Sequence, residues 1–209
     1  MGQRLVQTLS SWAASRVENI EGFENLPVHG PALLVPNHIS YFDPLVLFGV
    51  LYTKLKRSLH FMSFGEYWRF PGGRKLGQWT GTTFVERNSP ASALKHLQRH
   101  LEKGEICVLY PEGSRNIHAE LLRGKTGAAR LALWTKTPVI PIGITGPATR
   151  SAIRSWIYFF QKKKFHIRIG ESISLEEYYN RPITGELLHE VTGRIMKAIS
   201  TLSGKPYTF

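Results

Sequence analysis

Ala32-Leu-Leu-Val-Pro-Asn-His38-Ile-Ser-Tyr-Phe-Asp43-Pro44-Leu-Val-Leu-Phe-Gly-Val-Leu51 is the stretch whose reading decides the fold. Ala32 to Val35 form a short apolar run closed by Pro36 and Asn37, the pattern of a buried strand. Asp43-Pro44 is a helix start, because Asp is favoured at the N-cap and Pro at the first helical position. Leu45, Val46, Leu47, Phe48, Val50 and Leu51 then supply an apolar helix, expected over 44–55. The same stretch holds His38 and Asp43 as an HxxxxD pair. On one continuous helix, residues five apart point about 140° away from each other, and on a strand they face opposite sides of the sheet. The two side chains meet only where the chain bends, and Asp43-Pro44 supplies the bend. The spacing predicts that Asp43 hydrogen-bonds the His38 imidazole, fixes its tautomer and stabilises its protonated form, which makes His38 a general base. A satisfied polar corner at a helix start would account for the two residues taken alone, so the other motifs decide.

Outward from this stretch, strands and helices alternate. Ser89-Pro90 opens a helix with Leu94, Leu97 and Leu101 at helical spacing, and Gly104 ends it. Residues 105–110 read as a buried strand, 124–136 as a helix, Val139 to Ile144 as a strand, and Phe165, Ile167 and Ile169 as an alternating strand. A last helix over about 185–202 carries Leu187, Leu188, Val191, Ile195, Ile199 and Leu202 before Gly204. The pattern predicts an α/β domain with a mixed, largely parallel central sheet flanked by helices. Residues 3–18 place Leu5, Val6, Leu9, Trp12 and Ala13 on one helical face. They read either as a surface helix packed on the core or as an interfacial helix dipping into lipid. The division expected is an N-terminal amphipathic segment over 1–20 and one domain over 21–209.

Bulk properties narrow the partners. With 27 Lys and Arg against 15 Asp and Glu, the formal charge is +12, which attracts nucleic acid, an acidic membrane face or phosphorylated substrates. The one cysteine, Cys107, sits in the run Ile106-Cys-Val-Leu-Tyr110 and reads as a buried, inert thiol in a reducing compartment. No run reaches the roughly 20 apolar residues of a membrane span, and the N-terminus lacks a signal-peptide core, so a soluble or peripheral protein is expected. Between 59 and 88, Phe61, Phe64, Tyr67, Trp68, Phe70 and Trp79 alternate with Arg69, Arg74, Lys75 and Arg87. That mixture suits nucleic-acid stacking and a membrane interface equally.

Several signatures fail. Gly124-Lys125-Thr126 ends like a P-loop, but the required upstream glycine is Ala119. His118-Ala-Glu120 lacks the paired cysteines of a zinc deaminase, His189-Glu190 lacks a second histidine in register, and no G-x-S-x-G elbow occurs. What remains is a base without a side-chain nucleophile, suited to activating a substrate hydroxyl. Tyr110-Pro-Glu-Gly-Ser-Arg115 falls just past a strand end, where open α/β sheets place their sites. Arg87 and Arg115 can each grip a phosphate bidentately.

Together, Asn37-His38-xxxx-Asp43, Gly81-Thr-Thr-Phe84-Val-Glu-Arg87, Tyr110-Pro-Glu-Gly-Ser-Arg115 and Val139-Ile-Pro141-Ile resemble, in order and spacing, the four motif blocks of the glycerolipid acyltransferases. The likeness is greatest to the bacterial 1-acylglycerol-3-phosphate enzymes. It runs from Ile20-Glu-Gly-Phe-Glu-Asn-Leu-Pro27 through Arg123-Gly-Lys-Thr-Gly-Ala-Ala-Arg130 to Ser203-Gly-Lys-Pro-Tyr207. The resemblance implies transfer of a fatty acyl group from an acyl-CoA or acyl carrier protein thioester to a lysophospholipid hydroxyl, giving phosphatidate, with no cofactor or metal. It implies His38 as base and Asp43 as its orienter. It further implies Arg87 and Arg115 on the acceptor phosphate, Glu112, Gly113 and Ser114 around the glycerol, and Pro141 at the acyl-donor site. The implied setting is the cytoplasmic face of the cell membrane, held peripherally by an anionic lipid surface, with acyl carrier protein as a partner and no nucleic acid. Phe64 stands where many relatives carry a phosphate-binding lysine, which leaves another lysophospholipid or a glycolipid as alternative acceptor. A basic non-catalytic module binding membrane or nucleic acid is the alternative from another class; it explains the charge but not the two motifs at strand ends.

Overall fold

In the computed structural model, which describes residues 2–65, 69, 73–79, 81–85, 90–149, 151–161 and 164–209, the decisive stretch forms β2 (Ala32–Pro36), a six-residue loop and α2 (Asp43–Leu55). β2 lies in the middle of a seven-stranded sheet. The other strands are β1 (Val17–Glu21), β3 (Leu59–Phe64), β4 (Thr82–Val85), β5 (Ile106–Val108), β6 (Val139–Thr145) and β7 (Phe165–Ile169). Their order is β1-β7-β6-β2-β5-β3-β4, and every neighbouring pair is parallel except β6 with β7. The mixed, largely parallel sheet expected from the alternation is therefore present. Because β2 runs parallel to both β5 and β6, the segments leaving all three strands emerge at one edge, and His38 and Glu112 share it.

Period-two alternation divides the core. Ala32 and Leu34 of β2 face α1 (Gly2–Ala14), α2 and α6 (Ala152–Phe160), in a cluster with Val46, Leu47, Val50, Leu51 and Phe159. Leu33 and Val35 face α4 (Pro90–Glu102), α5 (Gly127–Thr135) and α7 (Gly185–Ser203), in a cluster with Leu97, Leu131, Val191, Ile195 and Ile199. Residues buried on both sides are why these strands read as continuous apolar runs. Cys107 is fully buried in the second cluster, and burial pushes its thiol pKa up to about 12.

A further helix, α3 (Gly73–Trp79), precedes β4. α1 docks on α2 at Gly49, where an added Cβ would lie 2.6 Å from the Ser10 carbonyl oxygen and 2.8 Å from the Ala13 Cβ. Trp12 meets Phe159 edge-on at 4.7 Å. Trp12 and Ala13, in the C-terminal half of α1, are thus packed on the core, while the side chains of Leu5, Val6 and Leu9, the rest of the amphipathic face, lie outside the described residues. Tyr67, Trp68, Phe70 and Arg87 lie outside them as well. One local expectation is corrected: the N-cap of α2 is Phe42 and makes no side-chain cap bond, whereas Asp43 is the first helical residue. Its carboxylate turns back to the preceding loop instead of onward into the helix. Helix α5 also starts at Gly127 rather than 124, and Gly124 is pressed against Met196 and Thr192.

Candidate active site

Where β2 ends, Asn37 fastens the chain to β6. Its Nδ2 donates to the Ile144 carbonyl at 2.9 Å and its Oδ1 accepts from the Ile144 N–H at 2.6 Å. This doubly bonded, fully buried amide fixes the exit of the next residue, His38. His38 Nδ1 lies 2.8 Å from Asp43 Oδ2, the contact that the HxxxxD spacing predicts. Oδ2 also accepts from the backbone N–H groups of Ile39 at 2.6 Å and Ser40 at 2.9 Å. Asp43 is 0% exposed, so three donors converge on one oxygen inside a dry bend. With Nδ1–H given to the carboxylate, Nε2 carries the imidazole lone pair, and the side chain is 18% exposed, open enough for a substrate to reach.

Tyr110, the first residue of the Tyr110–Arg115 motif, packs its ring 4.4 Å from the imidazole at 31°. Its hydroxyl is buried without a hydrogen-bond partner among the described residues. Burial, then the Asp43 charge, raises the phenol pKa well above its ordinary value, so Tyr110 offers a neutral wall.

Glu112 is 3% exposed and braces the site from the next strand. Its Oε1 accepts from the His38 backbone N–H at 3.1 Å, and its Oε2 from Asn116 Nδ2 at 2.7 Å and the Leu122 N–H at 2.9 Å. Asn116, fully buried and not singled out by any sequence motif, donates its own backbone N–H to the His38 carbonyl at 2.6 Å. The loops after β2 and β5 are thereby stitched together on both sides of His38. The C-terminal tail supports the second loop, since Lys205 Nζ donates to the His118 carbonyl at 2.7 Å and Leu121 N–H to the Pro206 carbonyl at 2.9 Å. Burial lowers the Lys205 pKa, while the charges of Glu112 and Asp43 oppose that shift.

The cationic side chains sit at the mouth. The Arg115 guanidinium lies 3.2 Å from the ring centroid of Tyr41, a residue of the His38–Asp43 loop, so this arginine is held over the base's own loop. Gly113 adopts φ 68°, and a Cβ there would meet Lys125 Nζ at 2.5 Å. Lys125, read in the sequence only as a failed P-loop lysine, thus lies against the glycine between Glu112 and the exposed Ser114. Pro141 is not at this mouth. It is buried inside β6 opposite Val35, and its carbonyl accepts from the Gly170 N–H at 2.9 Å. Arg87 lies outside the described residues. The assembly can take a proton at His38 Nε2 and hold an anion nearby at Arg115 and Lys125.

A family model described as Acyltransferase matches residues 17–145, from the start of β1 to the end of β6. Among curated proteins, the chain is 26% identical to the 1-acyl-sn-glycerol-3-phosphate acyltransferase of Bacillus subtilis over 190 residues, 87% of this chain and 86% of that one. It is 27% identical to the protein of that name from Borreliella burgdorferi, over 90% of this chain and 75% of the other. The chloroplastic LPAT1 of Arabidopsis thaliana is 33% identical over 61% of this chain, which spans only 36% of that longer protein. Among solved structures, the 1-acyl-sn-glycerophosphate acyltransferase PlsC from Thermotoga maritima superposes with a TM-score of 0.68 at 18% identity, covering 98% of this chain and 81% of that one. That likeness speaks to the fold.

Proposed function

Since the chain belongs to the acyltransferase family, we propose that it acylates the free hydroxyl of 1-acylglycerol-3-phosphate and releases phosphatidate, drawing the acyl group from a thioester of coenzyme A or acyl carrier protein. The observation that carries this reading is the buried His38–Asp43 pair, with Nδ1 committed to the carboxylate and cationic side chains at its mouth. In the proposed step His38 Nε2 takes the proton of the acceptor hydroxyl as its oxygen bonds to the thioester carbonyl carbon. The tetrahedral intermediate then expels the thiolate, to which His38 returns the proton, leaving an ester and a free thiol. General-base help of this kind is worth about 10²–10⁴-fold. No covalent enzyme intermediate is needed. Arg115, Arg87 and Lys125 supply positive charge for the acceptor phosphate, and Lys125 is a further cation in a chain that carries Phe64 at the position of the usual lysine.

Positive charge and an apolar helix face favour a peripheral place on an anionic membrane, at the cytoplasmic face. No helix among the described residues is long and apolar enough to cross a membrane. On α6, Ile153, Trp156, Ile157 and Phe160 recur at helical spacing and are exposed. Trp156 packs edge-on against Phe42, the residue before Asp43, at 4.8 Å. A lipid surface against this face would lie next to the base.

The test is lipid mass spectrometry after incubating purified protein with a panel of lysophospholipids and glycolipids, each with acyl-CoA and with acyl carrier protein thioesters, beside His38→Ala. Phosphatidate from the wild type alone is the expected result. A diacyl product only from an acceptor lacking the glycerol phosphate moves the activity to that acceptor, and product formation equal in His38→Ala removes the assigned mechanism.

A further inference from the structure

Far from His38, at the edge where β3 and β5 begin and α4 ends, the chain gathers a second group of polar side chains that the acyl transfer does not use. His60 is the second residue of β3, Glu105 immediately precedes β5, and His96 and His100 lie one turn apart near the end of α4. The donor atoms of His60, His100 and Glu105 all fall within 4.8 Å of one another. His100 Nδ1 is 2.5 Å and His60 Nε2 3.1 Å from the same carboxylate oxygen, Glu105 Oε2. The two imidazoles stack at 3.6 Å with 18° between their planes, so an ion held by both, each in its own ring plane, requires one ring to turn out of the stack.

We propose that His60, His100 and Glu105 form a binding site for a divalent transition metal of borderline softness, with zinc as the reference ion and His96 orienting His100 from outside. Two imidazoles and one carboxylate are a donor set that suits this class of ion, and three protein ligands leave one tetrahedral position for water. Ligand bonds of about 2.0–2.2 Å put tetrahedral donors roughly 3.3 Å apart, close to the 3.1 Å between His60 Nε2 and Glu105 Oε2. The shorter His100 contact would have to open by a swing of Glu105, whose side chain is 36% exposed.

Two further features point to a ligand. His60 Nε2 is buried and makes no hydrogen bond among the described residues; its approach to Glu105 has the distance of an ion pair but not a hydrogen bond's direction. A buried ring nitrogen of this kind, once deprotonated, is what a metal would use. The other feature is His100 Nε2, 3.1 Å from His96 Nε2. An N–H placed on that outer nitrogen and donated to His96 leaves Nδ1 as the ligand atom, the arrangement by which outer partners fix a metal-binding tautomer. Bound metal would staple β3, α4 and the entry to β5, elements that lead toward but do not touch the catalytic edge.

Isothermal titration of the untagged full chain with Zn²⁺, together with the visible spectrum on titration with Co²⁺, tests this. One equivalent should bind, Co²⁺ should show the d–d bands of a four-coordinate site, and Zn²⁺ should raise the Tm by mass action. His60→Ala and His100→Ala should each weaken Zn²⁺ at least about tenfold, and His96→Ala by a smaller factor within the 10–100-fold range of outer partners. Glu105→Gln, which keeps the shape of the cluster, guards against loss through misfolding and should also weaken binding. His38→Ala should bind as the wild type does, which separates this site from the acyl-transfer reading and leaves it standing if that reading fails. Absence of saturable Zn²⁺ binding, or binding equal in the His60→Ala/His100→Ala double variant, would show a hydrogen-bonded network only and overturn the proposal.

Discussion

Asp43 serves the fold and the chemistry through one oxygen, and a substitution can separate the two. In Asp43→Asn the side-chain oxygen can still accept from the Ile39 and Ser40 N–H groups, but the negative charge that stabilises a protonated His38 is gone. The bend should survive with a loss of about 1–3 kcal/mol, as expected for a weakened charge-assisted bond, while kcat falls about 10²–10⁴-fold. Steady-state kinetics on a lysophosphatidate acceptor beside chemical denaturation measures both, and an unchanged kcat in a folded variant would remove Asp43 as orienter. Tyr110 allows a companion experiment. Because its hydroxyl has no hydrogen-bond partner among the described residues, Tyr110→Phe sacrifices none and should keep near-wild-type kcat. Tyr110→Ala removes the ring against the imidazole, with a stability cost of about 2–5 kcal/mol and a lower kcat. Equal, severe losses in both would mean that the hydroxyl takes part in the reaction. His38 and Asp43 were legible in the sequence because Pro44 betrays the bend between them. The bracing role of Glu112 was not, because its donors lie 4, 10 and 74 residues away in the chain. Lys125 escaped for the same reason: only the folded loop brings it onto Gly113.

At the scale of elements, the joint between α1 and α2 depends on the absence of one side chain. Gly49 is a poor helix former, and Ala in an exposed helix interior would stabilise by about 0.5–1 kcal/mol. Here the added Cβ would meet the Ser10 carbonyl and the Ala13 Cβ below 3.0 Å, and backbone atoms cannot step aside cheaply. Overpacking of this sort costs about 1–3 kcal/mol, so Gly49→Ala should lower the denaturation midpoint despite its better propensity. A raised midpoint would show that α1 is not docked there in solution. Elements with a strong apolar signature were readable from the chain: β2, β5 and β6 as continuous runs, β7 by alternation, and α1, α2, α4, α5 and α7 by helical spacing. The others were not. β1 is an edge strand with no fully buried residue and an ordinary polar composition. β3 was obscured by its place within the aromatic and basic stretch. α6 is short and carries apolar residues on its outer side as well as its inner one.

For the molecule as a whole, that outer side of α6 and the charge of +12 bear on where the protein works. Basic residues close to an anionic bilayer contribute about 1 kcal/mol each, and salt weakens this attraction because the Debye length shrinks to about 10 Å at 0.1 M. Inserted apolar side chains contribute about 1.5–3 kcal/mol each when fully buried, and that contribution resists salt. The two parts can be told apart by sedimentation with vesicles of phosphatidylcholine containing an anionic lipid, over a salt series. Ile153 is 73% and Phe160 60% exposed, and replacing both removes neither ring of the Trp156–Phe42 contact. Ile153→Ser/Phe160→Ser should therefore bind at low salt but lose at least about tenfold of the partitioning that the wild type retains at high salt. Its turnover of a lysophospholipid dispersed below its aggregation concentration should be unaffected, while turnover of the same acceptor presented in vesicles falls. Equal high-salt partitioning of variant and wild type would mean that α6 does not enter the lipid and that another surface brings the base to its substrate.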